Sequence, residues 1–155
     1  MTIKNDFVSS ARSVSDLKAH LVLTTKYRKK LLNGEMVDRL ENVIADLCEK
    51  WDCKVIEFNG EDNHIHLLFQ YYPQMSLPKF IGNIKSVTSR RLRQEFPTLV
   101  NSIAAHSRRS SSKTTGTHSR SRKKVLWNES YFIASCGGVT VSVLKKYIEN
   151  QDKPT

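Results

Sequence analysis

Two histidines flank one apolar residue in His64-Ile65-His66, within a stretch whose alternation reads as a strand. Strand side chains alternate between faces, so both imidazoles leave one face while Ile65 turns to the opposite, core-facing layer. Leu67 and Phe69 continue the Ile65 face. Two neutral imidazoles side by side are a natural pair of metal ligands. The plainer alternative is two partly exposed polar residues on a sheet face, and a third ligand is missing from the local sequence. A second constellation lies near the C-terminus. Residues 139–151 read as a helix in which Val141, Leu144 and Ile148 form one stripe. Tyr147 and Gln151 are four apart, so they stack on one side of that helix. A tyrosine at the margin of a packed helix is the commoner situation. The chemical alternative is a phenol that attacks phosphorus, with an amide ligand one turn away. A phenol with an ordinary pKa of about 10 needs help from a metal, a cation or the substrate.

Elements able to position these residues recur along the chain. Residues 19–25 are apolar and β-branched, which predicts a strand. Residues 34–51 carry Met36, Val37, Leu40, Val43, Ile44, Leu47 and Trp51 at three- and four-residue steps, an amphipathic helix. Residues 54–59 alternate as a strand, Gly60-Glu61-Asp62-Asn63 is turn chemistry, and 64–72 is the second arm of a hairpin. Residues 76–96 form a helix with Leu77, Phe80, Ile81, Ile84, Thr88 and Leu92 inward, Ser76 as N-cap and Pro97 as terminator. A fourth strand is expected over 131–136, broken by Gly137-Gly138 before Thr140 caps the last helix. The order β-α-β-β-α-β-α predicts an α+β fold: a ferredoxin-like split β-α-β antiparallel sheet with an added C-terminal helix. Asp62 either orients a neighbouring histidine or serves the turn, and the turn reading is favoured. His20, in the first strand, reads as structural.

The chain has 155 residues and a formal net charge of +10. That length fits one domain spanning 1–155, with a core large enough to need no disulfide or metal to fold. No apolar run is long enough for a membrane span, and the N-terminus has no signal-peptide pattern. Cys48, Cys53 and Cys136 are odd in number and widely placed, and read as buried free thiols in a reducing cytosol. The basic balance favours a polyanion as partner. Seven of the ten excess charges sit in residues 104–124, a stretch rich in serine and devoid of acids. It reads as a disordered loop, either a nucleic-acid-grasping arm or a tolerated insertion. On the helix over 76–96, Asn83, Ser86, Arg90 and Arg93 make a polar, basic face flanked by Lys79, Lys85 and Arg91. Tyr27-Arg28-Lys29-Lys30 follows the first strand as a second candidate for phosphate contact. Of Tyr71 and Tyr72, one is expected in the core, although either could stack on a base.

The two constellations together resemble a known family. His64-Ile65-His66 matches the His-hydrophobic-His (HUH) motif, and Tyr147-Ile148-Glu149-Asn150-Gln151 matches the tyrosine helix of the single-tyrosine HUH transposases of the insertion sequence 200/605 type. The resemblance extends over residues 13–28, 63–69, 85–96 and 126–151, nearly the whole chain outside the Ser/Arg stretch. It implies an enzyme that cleaves and rejoins single-stranded DNA at transposon ends marked by imperfect hairpins. It further implies one divalent ion, Mg²⁺ or Mn²⁺, held by His64, His66 and Gln151, with Tyr147 forming a 5′-phosphotyrosine intermediate. Lys85, Arg90 and Arg93 would bind the hairpin, and Arg28 and Lys29 would add phosphate contacts. A cytoplasmic, nucleoid-associated homodimer is implied, its tyrosine helix acting in trans and swinging on Gly137-Gly138. The long Ser/Arg stretch departs from the family pattern. The alternatives are a non-catalytic nucleic-acid-binding protein on the same scaffold, or a repeat-associated or replicative HUH nickase.

Overall fold

A computed structural model describes residues 8–10, 13–109 and 125–135, with side chains over 16–105 and 125–135. Two short strands, β1 (Val8–Ser10) and β2 (Ser13–Ser15), pair as a small antiparallel ribbon. Then follow β3 (Leu17–Thr24), α1 (Gly34–Lys50), β4 (Lys54–Gly60), β5 (His64–Tyr71), α2 (Leu77–Glu95), α3 (Pro97–Arg109) and β6 (Phe132–Ser135). The main sheet has the order β4-β5-β3-β6, every pair antiparallel. With β3, β4, β5 and β6 taken as first to fourth, this is the ferredoxin-like arrangement that the element order predicts.

The pleat divides the sheet into two unlike faces. Ala19, Leu21 and Leu23 of β3 lie opposite Phe69, Leu67 and Ile65 of β5 and are buried against the helices. Met36, Leu40, Val43, Ile44 and Leu47 of α1 and Phe80, Ile81, Ile84 and Leu92 of α2 complete that core. Full burial of each such side chain is worth about 1.5–3 kcal/mol. Tyr71 packs at the margin of the core, its ring 5.8 Å from Phe69.

Local chemistry fixes the element ends. Asn33 Oδ1 accepts the Met36 N–H at 2.9 Å and caps α1. At the other end the Asp52 N–H reaches the Glu49 carbonyl and the Cys53 N–H reaches the Cys48 carbonyl at 2.7 Å. This is a Schellman closure, with Asp52 in the left-handed region at φ 55° where glycine is usual. Ser76 occupies the N-cap position of α2, but its hydroxyl makes no capping bond.

Two features depart from the sequence expectation. The β1–β2 ribbon was not predicted, its segments being too short to show a period. Pro97 does end α2, yet it also opens α3, because proline at a first helical position loses no hydrogen bond. Leu99 anchors α3 in the core. Residues 104–109, expected in the loop, are the last turns of that helix. Residues 110–124 of the expected loop lie outside the described residues. No helix among the described residues is long and apolar enough to cross a membrane.

Candidate active site

β5 carries both histidines onto the face turned away from α1 and α2, as the alternation requires. His66 lies opposite Val22 of β3 and Asn59 of β4, and His64 lies opposite Thr24. Cross-strand partners share a face, so His20, Glu57 and Phe132 belong to this surface too. The His20 ring meets that of His66 edge-on with centroids 6.5 Å apart, and the buried His20 Nδ1 has no hydrogen-bond partner. The residue read as structural thus stands beside the imidazole pair.

His64 is 8% exposed, and its Nδ1 is 2.7 Å from Asn63 Oδ1. Burial holds the His66 imidazole below its ordinary pKa, with further lowering by His64 and His20 and an opposing pull from Glu57. Burial also lowers His20, against the same Glu57. Both effects favour neutral rings, the form that binds metal. Among the described residues no third His, Cys, Asp or Glu joins the pair in a metal-holding group. Two imidazoles, one with its second nitrogen engaged, fit a divalent ion that takes its remaining ligands from elsewhere. Gln151 and Tyr147 lie outside the described residues, as do Gly137, Gly138 and Cys136.

The turn beside His64 is held from β3. Thr25, fully buried, donates its N–H to the Asn63 carbonyl at 2.9 Å, and its hydroxyl lies 3.2 Å from the same oxygen. That hydroxyl donates to the Lys29 carbonyl at 2.6 Å. Between these anchors Tyr27 and Arg28 take positive φ of 62° and 54°. Such backbone costs about 1–3 kcal/mol per residue and persists only where neighbours enforce it. Tyr27 is 62% exposed, with the Lys26 ammonium 5.4 Å from its ring centre. Arg28 is exposed and Lys29 half-buried on this elbow, next to the Asn63–His64 turn. Asp62 serves the turn: its carbonyl accepts the Leu32 N–H, and its carboxylate sits 4.0 Å from Lys30.

The α2 cations stand on the other side of the sheet, with the helices. Arg90 is exposed and, with Arg91 and Asn83, lines a groove of about 320 Å³ against Arg39, Asp46 and Lys50 of α1. The Arg93 Nε donates to the Ser89 carbonyl at 3.1 Å. Lys85 is turned toward β6: its ammonium donates to the Glu129 carbonyl at 3.0 Å and lies 5.9 Å from the Tyr131 ring centre. Burial lowers its pKa, with Glu129 opposing. The structure therefore ties the elbow carrying Arg28 and Lys29, through Thr25, to the turn that leads into His64 and His66, and places Arg90 and Arg93 with the helices. The sequence reading gives Asn63 to the turn and Thr25 to the first strand, and assigns neither to the site. Their signal was an amide immediately preceding a candidate ligand and a buried threonine ending a strand. Burial pushes the Cys48 thiol up to about 12 and the Cys53 thiol to about 11, so neither is a nucleophile.

Comparisons with known proteins bear on this arrangement. The family model described as IS200-like transposase matches residues 13–106 and 99–151, the latter stretch including Tyr147 and Gln151. The ISDra2 transposase TnpA of Deinococcus radiodurans is 30% identical over 138 residues, covering 89% of this chain and 86% of that protein. The transposase for insertion sequence element IS200 of Salmonella typhimurium is 25% identical over 146 residues, covering 94% of this chain and 84% of that one. Among solved structures, a Deinococcus radiodurans protein described as a transposase superposes with a TM-score of 0.72 at 25% identity, covering 95% of this chain and 99% of the other. A REP-associated tyrosine transposase bound to a REP hairpin shares the fold, with a TM-score of 0.53 at 9% identity over 92% of this chain and 67% of that one.

Proposed function

The chain belongs to the IS200-like transposase family, and from that premise we propose that it cuts and rejoins single-stranded DNA at hairpin-marked transposon ends. Tyr147 is the nucleophile. Its oxygen bonds to the scissile phosphorus as the P–O3′ bond breaks, and the phenol proton ends on the departing 3′ oxygen. The products are a 5′-phosphotyrosine and a free 3′-OH. Attack by a second 3′-OH reverses the step and seals a new junction. One phosphoester is exchanged for another at each stage, so no ATP is required.

His64, His66 and Gln151 hold one divalent ion, Mg²⁺ or Mn²⁺. When bound, such an ion supplies Lewis-acid polarisation of the phosphate. The two imidazoles do their part by sharing the sheet face turned away from α1 and α2. Arg28 and Lys29 bind phosphates beside the histidines. Arg90, Arg93 and the two remaining donors of Lys85 bind duplex phosphates of a hairpin, which gives affinity rather than sequence choice. The active form is a homodimer in which the tyrosine helix of one subunit completes the site of the other.

The observation that carries this reading is the pairing of His64 and His66 on the face free of α1 and α2, in a chain whose family match runs through Tyr147 and Gln151. The test mixes the protein with labelled single-stranded DNA bearing its element ends, with Mg²⁺, and resolves the products on a denaturing gel. An adduct that survives SDS and vanishes in Tyr147→Phe supports the reading. Hairpin binding without any adduct would favour a non-catalytic binding protein, and cleavage persisting in Tyr147→Phe would remove Tyr147 as nucleophile.

A further inference from the structure

We propose that Asn63 is a positioning residue that fixes the tautomer of His64, keeping its Nε2 lone pair unprotonated on the open face of the sheet. This rests on the reading of His64 as a metal ligand, but it concerns the metal-free protein. The contact itself is short, with Asn63 Oδ1 2.7 Å from His64 Nδ1. A carboxamide oxygen offers only lone pairs, so the proton in that contact sits on Nδ1. A neutral imidazole carries one proton, and Nε2 is therefore left as the acceptor or ligand atom.

The backbone of Asn63 is held from outside the hairpin, which sets where its side chain starts. Its carbonyl receives the N–H of the buried Thr25 at 2.9 Å, and the Thr25 hydroxyl, which donates to the Lys29 carbonyl, lies 3.2 Å from the same oxygen. The Glu61 N–H closes the turn onto the His64 carbonyl at 2.8 Å. His64 is itself nearly sealed, which limits water from competing for Nδ1. The usual partner for the outer nitrogen of a ligand imidazole is a carboxylate or a carbonyl oxygen. A carboxamide supplies that oxygen without adding negative charge beside the scissile phosphate. Asp62, one residue earlier, is spent on the turn and on Lys30.

The test uses the full-length metal-free protein with labelled imidazole nitrogens, followed by nitrogen–proton correlation spectra under neutral conditions. His64 is expected to carry its proton on Nδ1 in the wild type and in Asn63→Asp. In Asn63→Leu it is expected to move toward the Nε2-protonated form that free imidazoles prefer. The backbone bond to Thr25 survives both substitutions, and the same spectra report whether each variant is folded. An Nε2 proton in the wild type, or an unchanged tautomer in Asn63→Leu, would overturn the proposal. Titration with Mn²⁺ alone then addresses the metal reading separately. Affinity is expected to drop about 10- to 100-fold in Asn63→Leu and to be retained in Asn63→Asp. A locked tautomer with no Mn²⁺ bound by the wild type would support the Asn63 role while overturning the assignment of His64 as a ligand.

Discussion

The indole Nε1 of Trp127 donates to the Thr88 hydroxyl at 2.9 Å, and both side chains are fully buried. That bond pins the segment before β6 to α2, while the Thr25–Trp127 bridge pins it to the end of β3. Thr88 in turn donates to the Ile84 carbonyl at 2.6 Å, so its lone pairs face the indole. Thr88→Val leaves the indole N–H buried without an acceptor. It is expected to lower unfolding free energy by about 1–3 kcal/mol. Thr88→Ser keeps the hydroxyl and is expected to lose about 1 kcal/mol for the missing methyl. Urea unfolding of the two variants, with similar slopes, would measure the difference.

Asp52 closes α1 in a left-handed conformation, at φ 55°, that glycine adopts without strain. Asp52→Gly is expected to raise stability by about 0.5–1 kcal/mol, because the relief of Cβ strain exceeds the added entropy of the unfolded chain. Thermal melts should show a higher midpoint. A lower one would mean that the Asp52 carboxylate contributes more than its backbone geometry suggests.

Gly60 ends β4 where the sheet meets α1. A Cβ at this position would come within 2.5 Å of the Val37 Cγ1. Gly60→Ala is therefore expected to destabilise by about 1–3 kcal/mol through overpacking. Val37→Ala in the same chain vacates the space, so the double variant should recover part of the loss. The coupling, read from a double-mutant cycle by chemical denaturation, should be at least 0.5 kcal/mol in magnitude, roughly the range for residues in contact.

Acid is expected to weaken the fold through the sheet-face histidines. An imidazole ordinarily titrates at 6.5, and burial moves His66 below that value, His64 and His20 adding to the shift and Glu57 opposing it. His20 is lowered as well, by its own burial, with Glu57 opposing. The unfolded chain then takes up protons at a higher pH than the folded one. Stability from these groups is full above the ordinary imidazole value, and it is lost as pH falls below it toward the folded values. Melting temperature should be level between about pH 8 and 7 and decline toward about pH 5. His66→Gln should flatten that decline, and an unaltered slope would count against the assignment.

The strands and long helices were legible because their periods are clean. Ile65, Leu67 and Phe69 alternate with His64, His66 and Leu68, and that alone oriented the histidine pair. α1 announced itself by apolar spacing and by Asn33 before its first turn. α3 was hidden because Pro97 signals both an end and a beginning, and because serine and arginine carry no apolar stripe after Ile103. Asn63 was read as turn chemistry, which it is, but its side chain also reaches the next residue in the chain. Proximity of that kind has no periodicity to detect. Lys85 looked like one more cation of α2, whereas its bond to the Glu129 carbonyl depends on the segment before β6, 44 residues later in the chain, a placement only the tertiary fold determines.

The pleat of β5 makes the histidine pair a matter of parity. Residues of odd number, Ile65, Leu67 and Phe69, go to the helices, and those of even number go to the open face. A substitution alters one side chain. A single residue inserted after Ile65 would instead send one imidazole outward and the other into the apolar layer, splitting the pair across the sheet. Two inserted residues would restore the faces but draw the rings apart by about 6.6 Å of strand rise. The site thus depends on the length of β5 as well as on its composition, and a one-residue insertion there undoes the pair as surely as the loss of either histidine.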